Sequence, residues 1–590
     1  MTLSWRTAPR SIIKTLHWFN SVDVIENKDW NKTSEVKSVY GKSMHPTRRK
    51  FLYNISLNND DDDYSTNKIR ELGLDRWLSG QNDWTKEPES NARQRWTTFE
   101  QFGFSYLKNG IVKITPTGKM VIDGNFDGDQ LIKQMLKMYT PLEKDKGVYI
   151  FQEFIRIIYK FKYLNRWELA FLFCISKYDD LKNIDDAIHV FRNFYLNLEN
   201  KRKIKLINDK WMNIAKKYFE INWSKTQLKD KGKSYWNDYT DAFSRSLIYS
   251  GLFIDSGRGQ ATKIRIKDIE LKKFLMLLNI HISVPNEEKS SINQMDWFGS
   301  SDNIKLPWDN YDNLSKIVLD KINVLKHENS DDVFDIYLDD IKNSRLSLSK
   351  LKSTEKNIDN KMSKYAIEKF VVKESESNEV RNEIIERYDM ISSGASDMAA
   401  LWLEANTWKF FASLADNPKS AIYNGTLNPD LTPRNYAKGV GNTPDMEIYS
   451  DDNILLPEVS LMTGVQQWEH EGSSVAEHVL RKKENNSNKN VMALFISKKT
   501  NFRSQWLFFI LNKDSWTGHP VPIVPIEIDQ FIRVVKFSYK YDLRIRDVLK
   551  LIQSMHEVVK DIDNFNEWQN KINSVENDWM QSIKNKELSI

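Results

Sequence analysis

The sequence has few of the residues and segments that would indicate a secreted or membrane-embedded protein. Only one of its 590 residues is a cysteine, which excludes intrachain disulfides and zinc sites built from several cysteines. That residue, Cys174, lies in the apolar run LAFLFCIS, which predicts a buried thiol. No apolar run approaches the length that spans a bilayer, and Lys14 interrupts the apolar segment near the amino terminus, so no signal peptide is expected. We therefore expect a cytoplasmic protein without a membrane partner.

The chain also has little net charge. Its 86 basic and 81 acidic residues leave a charge of +5, which is too small to indicate nucleic acid binding by itself. The charges are nevertheless segregated: acidic residues cluster at 58–64 and 329–340, whereas the segments 201–210 and 258–267 are basic. Segregated charge allows one face to bind a polyanion, although a solvated surface is the commoner outcome.

Two segments of the amino-terminal half share one pattern. Residues 95–122 and 241–268 each read as a helix, a strand, a glycine-containing turn and a second strand. The turns carry Asn-Gly and Gly-Arg-Gly, which supply the positive φ angles that hairpins need. The pattern is typical of winged-helix units, which lay a helix in the major groove and a wing along the phosphates. Scaffold modules that bind only protein are the alternative.

The length exceeds what one hydrophobic core serves, so we expect a multidomain protein. Residues 1–125 and 126–284 are predicted to form two largely α-helical, winged-helix-like subdomains. Residues 285–390 are predicted to form a helical linker, because 340–390 contains neither proline nor glycine and has sparse apolar spacing. Residues 391–590 alternate helical and strand patterns, which predicts an α/β domain.

The stretch GNTPDMEIYSDDNILLPEVS, residues 441–460, predicts a hairpin with two facing acids. A turn at 451–452 pairs Asp445 with Glu458 across the strands. Neighbouring like charges destabilise a sheet unless solvent or a cation compensates them. Oxygen ligands favour Mg²⁺. Two details complicate the hairpin, because Pro457 suggests an edge or bulged strand and Glu447 competes with Asp445 as a ligand.

The flanking helices carry further polar residues. Glu404 lies in the preceding helix, and the following helix carries Gln467, Glu471 and His478 at offsets of four and eleven, which place all three on one helical face. For each acid alone, a solvated surface position is the commoner interpretation. Their combination favours a metal site.

Together, GNTPDMEIYSDDNILLPEVS and the helix VQQWEHEGSSVAEHVL closely resemble the AlwI-type family of type IIS restriction endonucleases and their site-specific nicking relatives. That family carries a variant of the PD-(D/E)xK nuclease core: Gly-Asn-x-Pro-Asp-Met-Glu-Ile, then Glu-Val-Thr/Ser, then a Gln…Glu…His helix. The resemblance extends to FGFSYLKNGIVKITPTGKM and YSGLFID in the amino-terminal half. It therefore covers most of the chain.

The resemblance implies Mg²⁺-dependent phosphodiester hydrolysis. It implies that Asp445 and Glu458 hold the metal and that Glu404 and Glu471 are further acids of the active centre. The roles of His478 and Gln467 stay open. The lysine that usually follows the motif glutamate by two residues is Ser460 here, as in the family's own Glu-Val-Thr form.

The resemblance further implies an enzyme that reads an asymmetric double-stranded DNA site and cuts at a fixed offset outside it. Cutting both strands would need a second copy or a small catalytic subunit; otherwise the enzyme nicks one strand. A cognate DNA methyltransferase in the same prokaryotic system is a further expected partner. A DNA-binding regulator without catalysis is the alternative of another class. The candidate DNA contacts are Arg245, Arg258, Lys263 and Arg265, although for each of them a solvated surface cation is the commoner interpretation.

Overall fold

A computed structural model describes most of the chain. The described residues are 3–20, 22–30, 88–143, 146–201, 203–221, 226, 230, 232–256, 259–282, 292–328, 335–394, 396, 399–417, 420–428, 431–435, 443–513 and 518–587.

The described chain is mostly helical. Its α-helices are α1 Ile12–Phe19, α2 Pro88–Gln101, α3 Pro116–Ile122, α4 Gly128–Lys137, α5 Ile150–Phe161, α6 Arg166–Ala170, α7 Ile184–Leu196, α8 Ile204–Tyr218, α9 Thr240–Tyr249, α10 Leu271–Leu277, α11 Ile292–Phe298, α12 Tyr311–Glu328, α13 Asp335–Lys342, α14 Leu348–Lys369, α15 Asn378–Ser393, α16 Ala399–Leu414, α17 Val465–Asn485, α18 Phe502–Lys513, α19 Ile528–Lys540, α20 Ile545–Glu557 and α21 Phe565–Glu587. None of these described helices is both long and apolar enough to cross a bilayer.

Shorter helical turns and several small sheets complete the described secondary structure. Turns of 3₁₀ helix lie at Val22–Ile25, Phe171–Cys174, Tyr178–Asn183, Gly259–Ala261, Asp268–Glu270, Ser301–Asn303 and Val558–Asp561, and π-helical turns at Ser234–Tyr239 and Phe370–Glu374. The strands are β1 Ser105–Lys108, β2 Ile111–Ile114, β3 Tyr139–Glu143, β4 Lys146–Tyr149, β5 Tyr163–Asn165, β6 Phe253–Ser256, β7 Lys263–Ile266, β8 Ala421–Tyr423, β9 Thr426–Leu427, β10 Pro433–Asn435, β11 Met446–Ser450, β12 Asn453–Ser460, β13 Asn490–Ser497 and β14 Ile523–Glu527.

Contacts divide the chain into two compact units. The first comprises 1–194, 208–255 and 263–356, and the second comprises 195–207, 256–262 and 357–590. The division near residue 356 falls inside the segment predicted as a helical linker. The four predicted domains and the three boundaries between them remain predictions.

The helices and strands of both helix-and-hairpin segments that the sequence predicts lie in the first unit, apart from Ser256 at the end of β6. In the first segment α2 is followed by β1 and β2, which pair antiparallel, and then by α3. In the second, α9 is followed by β6 and β7, and β5 adds a third strand in the order β5-β7-β6. The secondary structure is thus confirmed, and the winged-helix interpretation remains a prediction. The predicted buried thiol is also confirmed, because Cys174 is fully buried in this unit.

The second unit is built on a mixed five-stranded sheet in the order β14-β13-β12-β11-β8. β12 and β13 lie at its centre and read as nearly continuous apolar runs, NILLPEVS and NVMALFIS, as expected of strands covered on both faces. β12 pairs antiparallel with β11 and parallel with β13. The pairing of Tyr449 with Ile454 confirms the predicted hairpin register.

The expectation that Pro457 marks an edge strand is wrong. β12 lies between β11 and β13, and Pro457 pairs with Leu494 of β13. The ladder toward β11 is formed by residues 453–455, on the turn side of Pro457. A backbone N–H can donate to only one of the two neighbouring strands, so the missing N–H of Pro457 costs at most one interstrand bond. The parallel pairing of β12 with β13 therefore tolerates the proline.

Two helices, α16 and α17, pack on the strands that carry the candidate site. α17 connects β12 to β13 as the crossover that two parallel strands require, and it packs on both strands. α16 packs on β8 and β12. The carboxyl ends of β12 and β13 therefore share one edge, where Ser460 pairs with Ser497.

Candidate active site

Asp445 and Glu458 lie side by side where β11 begins and β12 approaches its carboxyl end. The backbone N–H of Asp445 donates to Glu458 Oε2 at 3.4 Å, and the backbone N–H of Val459 donates to Asp445 Oδ2 at 2.9 Å. Beyond β8, the backbone N–H of Asn424 donates to the Asp445 carbonyl oxygen at 3.1 Å. The two carboxylates are thus held together by the backbone of both strands, as the hairpin register predicts.

Both carboxyl groups are electrostatically strained. Burial raises the pKa of Asp445 well above its usual range, and the charges of Glu458 and Glu471 raise it further. Burial likewise raises the pKa of Glu458, with a second increase from Glu471. Within the described part of the chain, neither carboxylate has a lysine or arginine as an ion-pair partner. The pair is a buried, uncompensated concentration of negative charge, which is costly without a cation.

A second buried acidic pair, Glu270 and Glu355 of the amino-terminal unit, does have lysine partners. Lys321 Nζ lies 2.6 Å from both Glu270 and Glu355, and Lys273 Nζ lies 2.6 Å from Glu355. The lysine charges therefore offset the charges of these two carboxylates. The pair at Asp445 and Glu458 lacks this compensation.

His478 contacts the acidic pair from α17. Its Nδ1 lies 2.5 Å from Glu458 Oε1, and both side chains are buried. Burial lowers the pKa of His478 and so favours a neutral imidazole. When Glu458 is ionised, the hydrogen resides on His478 Nδ1 and is donated to the carboxylate.

Glu471 and Glu404 are the remaining predicted acids. Glu471 is half-buried on α17, and its charge acts on Asp445, Glu458 and His478. Glu404 is buried on α16, one turn before Trp408, whose Nε1–H donates to the carbonyl oxygen of Ala421 in β8 at 3.0 Å. The charge of Glu471 therefore acts directly on the acidic pair. Glu404 lies on a different helix, α16, which packs on the sheet.

Gln467 lies on the same helix but binds two loops instead of the carboxylates. Its Nε2 donates to the carbonyl oxygens of Met462 at 3.0 Å and Lys499 at 3.2 Å, and its Oε1 accepts the backbone N–H of Asn501 at 2.6 Å. The residue is fully buried. Gln467 thus ties the loop after β12 to the loop after β13.

Replacing Gln467 by Leu should destabilise the second unit by roughly 2–4 kcal/mol, because two carbonyls and one N–H lose their partner. The melting temperature should fall by roughly 5–10 °C in a thermal scan. Glu469→Gln, on the exposed face of the same helix, is the control and should leave it unchanged. Equal melting temperatures for Gln467→Leu and the parent would show that these bonds contribute no stability.

Glu447, predicted as a competitor of Asp445, is engaged elsewhere. Lys482 Nζ lies 2.5 Å from Glu447 Oε2, and the hydroxyl of Tyr449 donates to the same oxygen at 2.7 Å. Lys482 follows His478 by one helical turn, so α17 contacts β11 and β12 through two successive polar residues. The sequence reasoning missed Lys482, although its four-residue spacing from His478 was a usable signal.

Ser460 occupies the position of the usual motif lysine and is buried. Its Oγ accepts the backbone N–H of Met462 at 3.2 Å. The side chain therefore shapes the loop that follows β12.

Three of the four candidate DNA contacts, Arg245, Lys263 and Arg265, lie in or beside the second hairpin of the first unit. Arg245 donates to Asp241 at 3.0 Å, Lys263 lies 5.0 Å from the Tyr163 ring centre, and Arg265 lies 3.7 Å from Asp268. Arg258 falls outside the described residues.

Comparison with known proteins assigns the class. The chain falls among the restriction endonucleases. The family whose model matches is the AlwI restriction endonuclease family, over residues 100–534. That range is most of the chain, so the chain belongs to this family. No curated protein matches it.

Two solved structures of restriction enzymes are similar to parts or all of the chain. The small subunit of the heterodimeric restriction endonuclease R.BspD6I shares 18% identity, with 33% of this chain and 98% of that chain covered and a TM-score of 0.28. Restriction endonuclease FokI shares 11% identity, with 94% of this chain and 99% of that chain covered and a TM-score of 0.23.

Proposed function

We propose that the chain is a Mg²⁺-dependent, site-specific deoxyribonuclease of type IIS. Its amino-terminal half, with the two winged-helix-like segments, would bind an asymmetric double-stranded site, and the second unit would hydrolyse a phosphodiester bond at a fixed offset outside it. The single observation that carries this proposal is the buried pair Asp445 and Glu458 without a cationic partner among the described residues. Membership in a restriction endonuclease family supplies the substrate class.

The donor set fits Mg²⁺. Asp445 and Glu458 offer carboxylate oxygens, which a hard dication prefers. A dication would also stabilise the ionised form of both carboxyls, whose pKa is raised by burial and further by neighbouring carboxylates. When bound, Mg²⁺ supplies positive charge at the scissile phosphate and acidifies a coordinated water.

The chain's own residues have separate tasks in this proposal. Asp445 and Glu458 hold the cation, and His478 orients Glu458 through Nδ1 and keeps a proton off its Oε1. Glu471 adds negative charge beside the pair and would accept a proton from an attacking water. Glu404 supports the group from α16. Gln467 holds the two loops at the edge of the sheet.

One acidic pair in each chain cuts one strand. Because the strands of DNA are antiparallel, a double-strand break would need a second centre, supplied by another copy or by a small catalytic subunit. A strand-specific nicking enzyme is therefore the second candidate function. A cognate DNA methyltransferase would protect the host site, in a prokaryotic cytoplasm.

Incubation of the purified chain with supercoiled plasmid of mixed sequence and Mg²⁺ tests the proposal. We expect open-circular or linear product, and sequencing of the ends gives the site, the offset and the number of strands cut. Intact plasmid together with salt-dependent binding to DNA would instead favour a regulator without catalysis.

The Mg²⁺ requirement should depend steeply on pH. The raised pKa values of Asp445 and Glu458 make protons compete with the cation. For each proton that Mg²⁺ displaces, the half-saturating Mg²⁺ concentration should fall about 10-fold for every unit by which the pH rises. If two protons are displaced, the half-saturating Mg²⁺ concentration should fall about 100-fold per pH unit within the range in which both carboxyls titrate. Cleavage rates measured at a series of Mg²⁺ concentrations from pH 6 upward check this. A half-saturating concentration that does not change with pH would contradict it.

A further inference from the structure

The sheet edge at the acidic pair continues into a surface that the proposed chemistry does not use. We define the loop-helix surface as residues 498–506, which comprise the loop after β13 and the first turns of α18. Lys498, Lys499 and Arg503 are exposed on it. So are the rings of Phe502 and Trp506, which are 64% and 48% exposed.

The charge of this surface is of one sign. Between Glu484 and Asp514 the chain has no acidic residue. Within the described part of the chain, the side chains of Lys498, Lys499 and Arg503 form no ion pair and no side-chain hydrogen bond. Some other cations of the same unit are paired, such as Lys482 with Glu447 and Lys513 with Asp563. Unpaired cations beside exposed aromatic rings fit a polyanion with apolar sugar and base surfaces.

The surface lies close to the acidic pair. Ser497 pairs with Ser460, which follows Glu458 by two residues. At about 3.3 Å per residue along a strand and about 4.8 Å between strands, the Lys499 backbone falls within about 15 Å of Glu458. That span corresponds to a few phosphates along one DNA strand.

The surface is also held in place. Gln467 binds the Lys499 carbonyl oxygen and the Asn501 N–H, as described above, and Asn501 Oδ1 accepts the Arg503 N–H at 2.9 Å. The Phe502 ring packs edge-on against Phe565, with the ring centres 4.9 Å apart. A preorganised surface loses little entropy on binding.

We propose that the loop-helix surface binds the duplex DNA beside the scissile phosphate, with Lys498, Lys499 and Arg503 on phosphates and the two rings against deoxyribose and base faces. The occupant is DNA because the exposed charge is entirely positive and unpaired, which would repel a second copy of the same surface. This inference rests on the proposed function and assigns the substrate contacts of its cutting unit.

Salt-dependent binding of the full chain to a mixed-sequence duplex gives the first test. Replacing Lys498, Lys499 and Arg503 together by Ala should weaken binding roughly 10- to 100-fold and reduce the salt slope by about 2–3. The matched control replaces three exposed cations of α20, the following 3₁₀ turn and α21, namely Lys550, Lys560 and Lys571. It changes the net charge equally and should leave the slope unchanged. Equal slopes for both triple variants would overturn the proposal.

The second test maps which nucleotides lie near the surface, and its result does not depend on a change in DNA affinity. Because the chain's single cysteine is buried, Arg503→Cys provides one reactive thiol for an iron–EDTA group. In an Asp445→Asn background, strand scission should cluster within a few nucleotides of the parent enzyme's own cut. Ser487→Cys lies in the turn before the opposite end of β13, whose first residue is about 17 Å along the strand from Phe495, the residue paired with Glu458. It should give no scission at the parent cut.

The outcomes separate this inference from the proposed function. A parent chain that fails to cleave with Mg²⁺ sinks the proposed function. A parent chain that cleaves while Arg503→Cys gives no local scission sinks the surface assignment alone. If Phe502→Ser with Trp506→Ser lowers the sedimentation mass of the protein and leaves DNA affinity intact, the surface binds a second copy, and the proposal is wrong.

Discussion

Replacing Asp445 by Asn is expected to abolish DNA cleavage and, at the same time, to stabilise the metal-free protein. The loss of activity follows from the loss of one of two anionic ligands, and several kcal/mol of charge stabilisation correspond to a rate decrease of at least about 10³-fold. The side-chain oxygen of Asn can still accept the Val459 N–H, so the local fold survives. Single-turnover cleavage with saturating Mg²⁺ measures the effect.

The stabilisation follows from the sign of the pKa shift. The folded-state pKa of Asp445 is raised, so the native state binds more protons than the unfolded state between the two pKa values. Stability therefore falls as pH rises through that window, and the cost is fully present above it. Asn removes the charge, so the free energy of unfolding at neutral pH should rise by about 1–2 kcal/mol and the melting temperature by about 2–6 °C.

Glu447→Gln is the matched control on the same strand. Because Glu447 pairs with Lys482 and Tyr449, this change should lower stability and leave Mg²⁺ binding intact. A parent-like cleavage rate for Asp445→Asn, or loss of Mg²⁺ binding in Glu447→Gln alone, would reassign the ligand to Glu447.

The hairpin was predictable because its signals are local. Alternating burial in MEIYS, an Asp-Asp turn and the antiparallel register together determine which residues face each other, and Asp451 adopts the left-handed φ of 48° that aspartate tolerates. The helix over α17 was likewise predicted from its spacing, and His478 does contact Glu458 as a shared helical face suggests.

Other parts of the site depend on contacts that spacing does not encode. Gln467 shares a helical face with Glu471, yet its amide turns to the loops, because their buried backbone groups need partners. The pairing of Glu447 with Lys482 joins a strand to a helix 35 residues later. Pro457 suggested an edge strand because proline has no backbone N–H to donate. The sequence alone does not reveal toward which neighbouring strand that missing bond would have been directed.

The hydrogen bond between His478 and Glu458 is expected to contribute the next largest effect on activity. It is short, buried and directed at a carboxylate that must be ionised to hold a cation. Removing a partner from such a group costs about 2–4 kcal/mol. His478→Leu should therefore reduce single-turnover cleavage by roughly 10²- to 10³-fold.

The pH profile distinguishes this role from simple packing. Without the donor, the already raised pKa of Glu458 should rise further, so the acidic limb of the cleavage profile should move to higher pH and more Mg²⁺ should be needed at each pH. His478→Asn places an amide N–H near the position of Nδ1 and should restore cleavage to within about 10-fold of the parent, with the limb moved back. If both variants lose activity equally with unshifted profiles, His478 serves packing alone, and Glu458 is oriented by the backbone of Asp445.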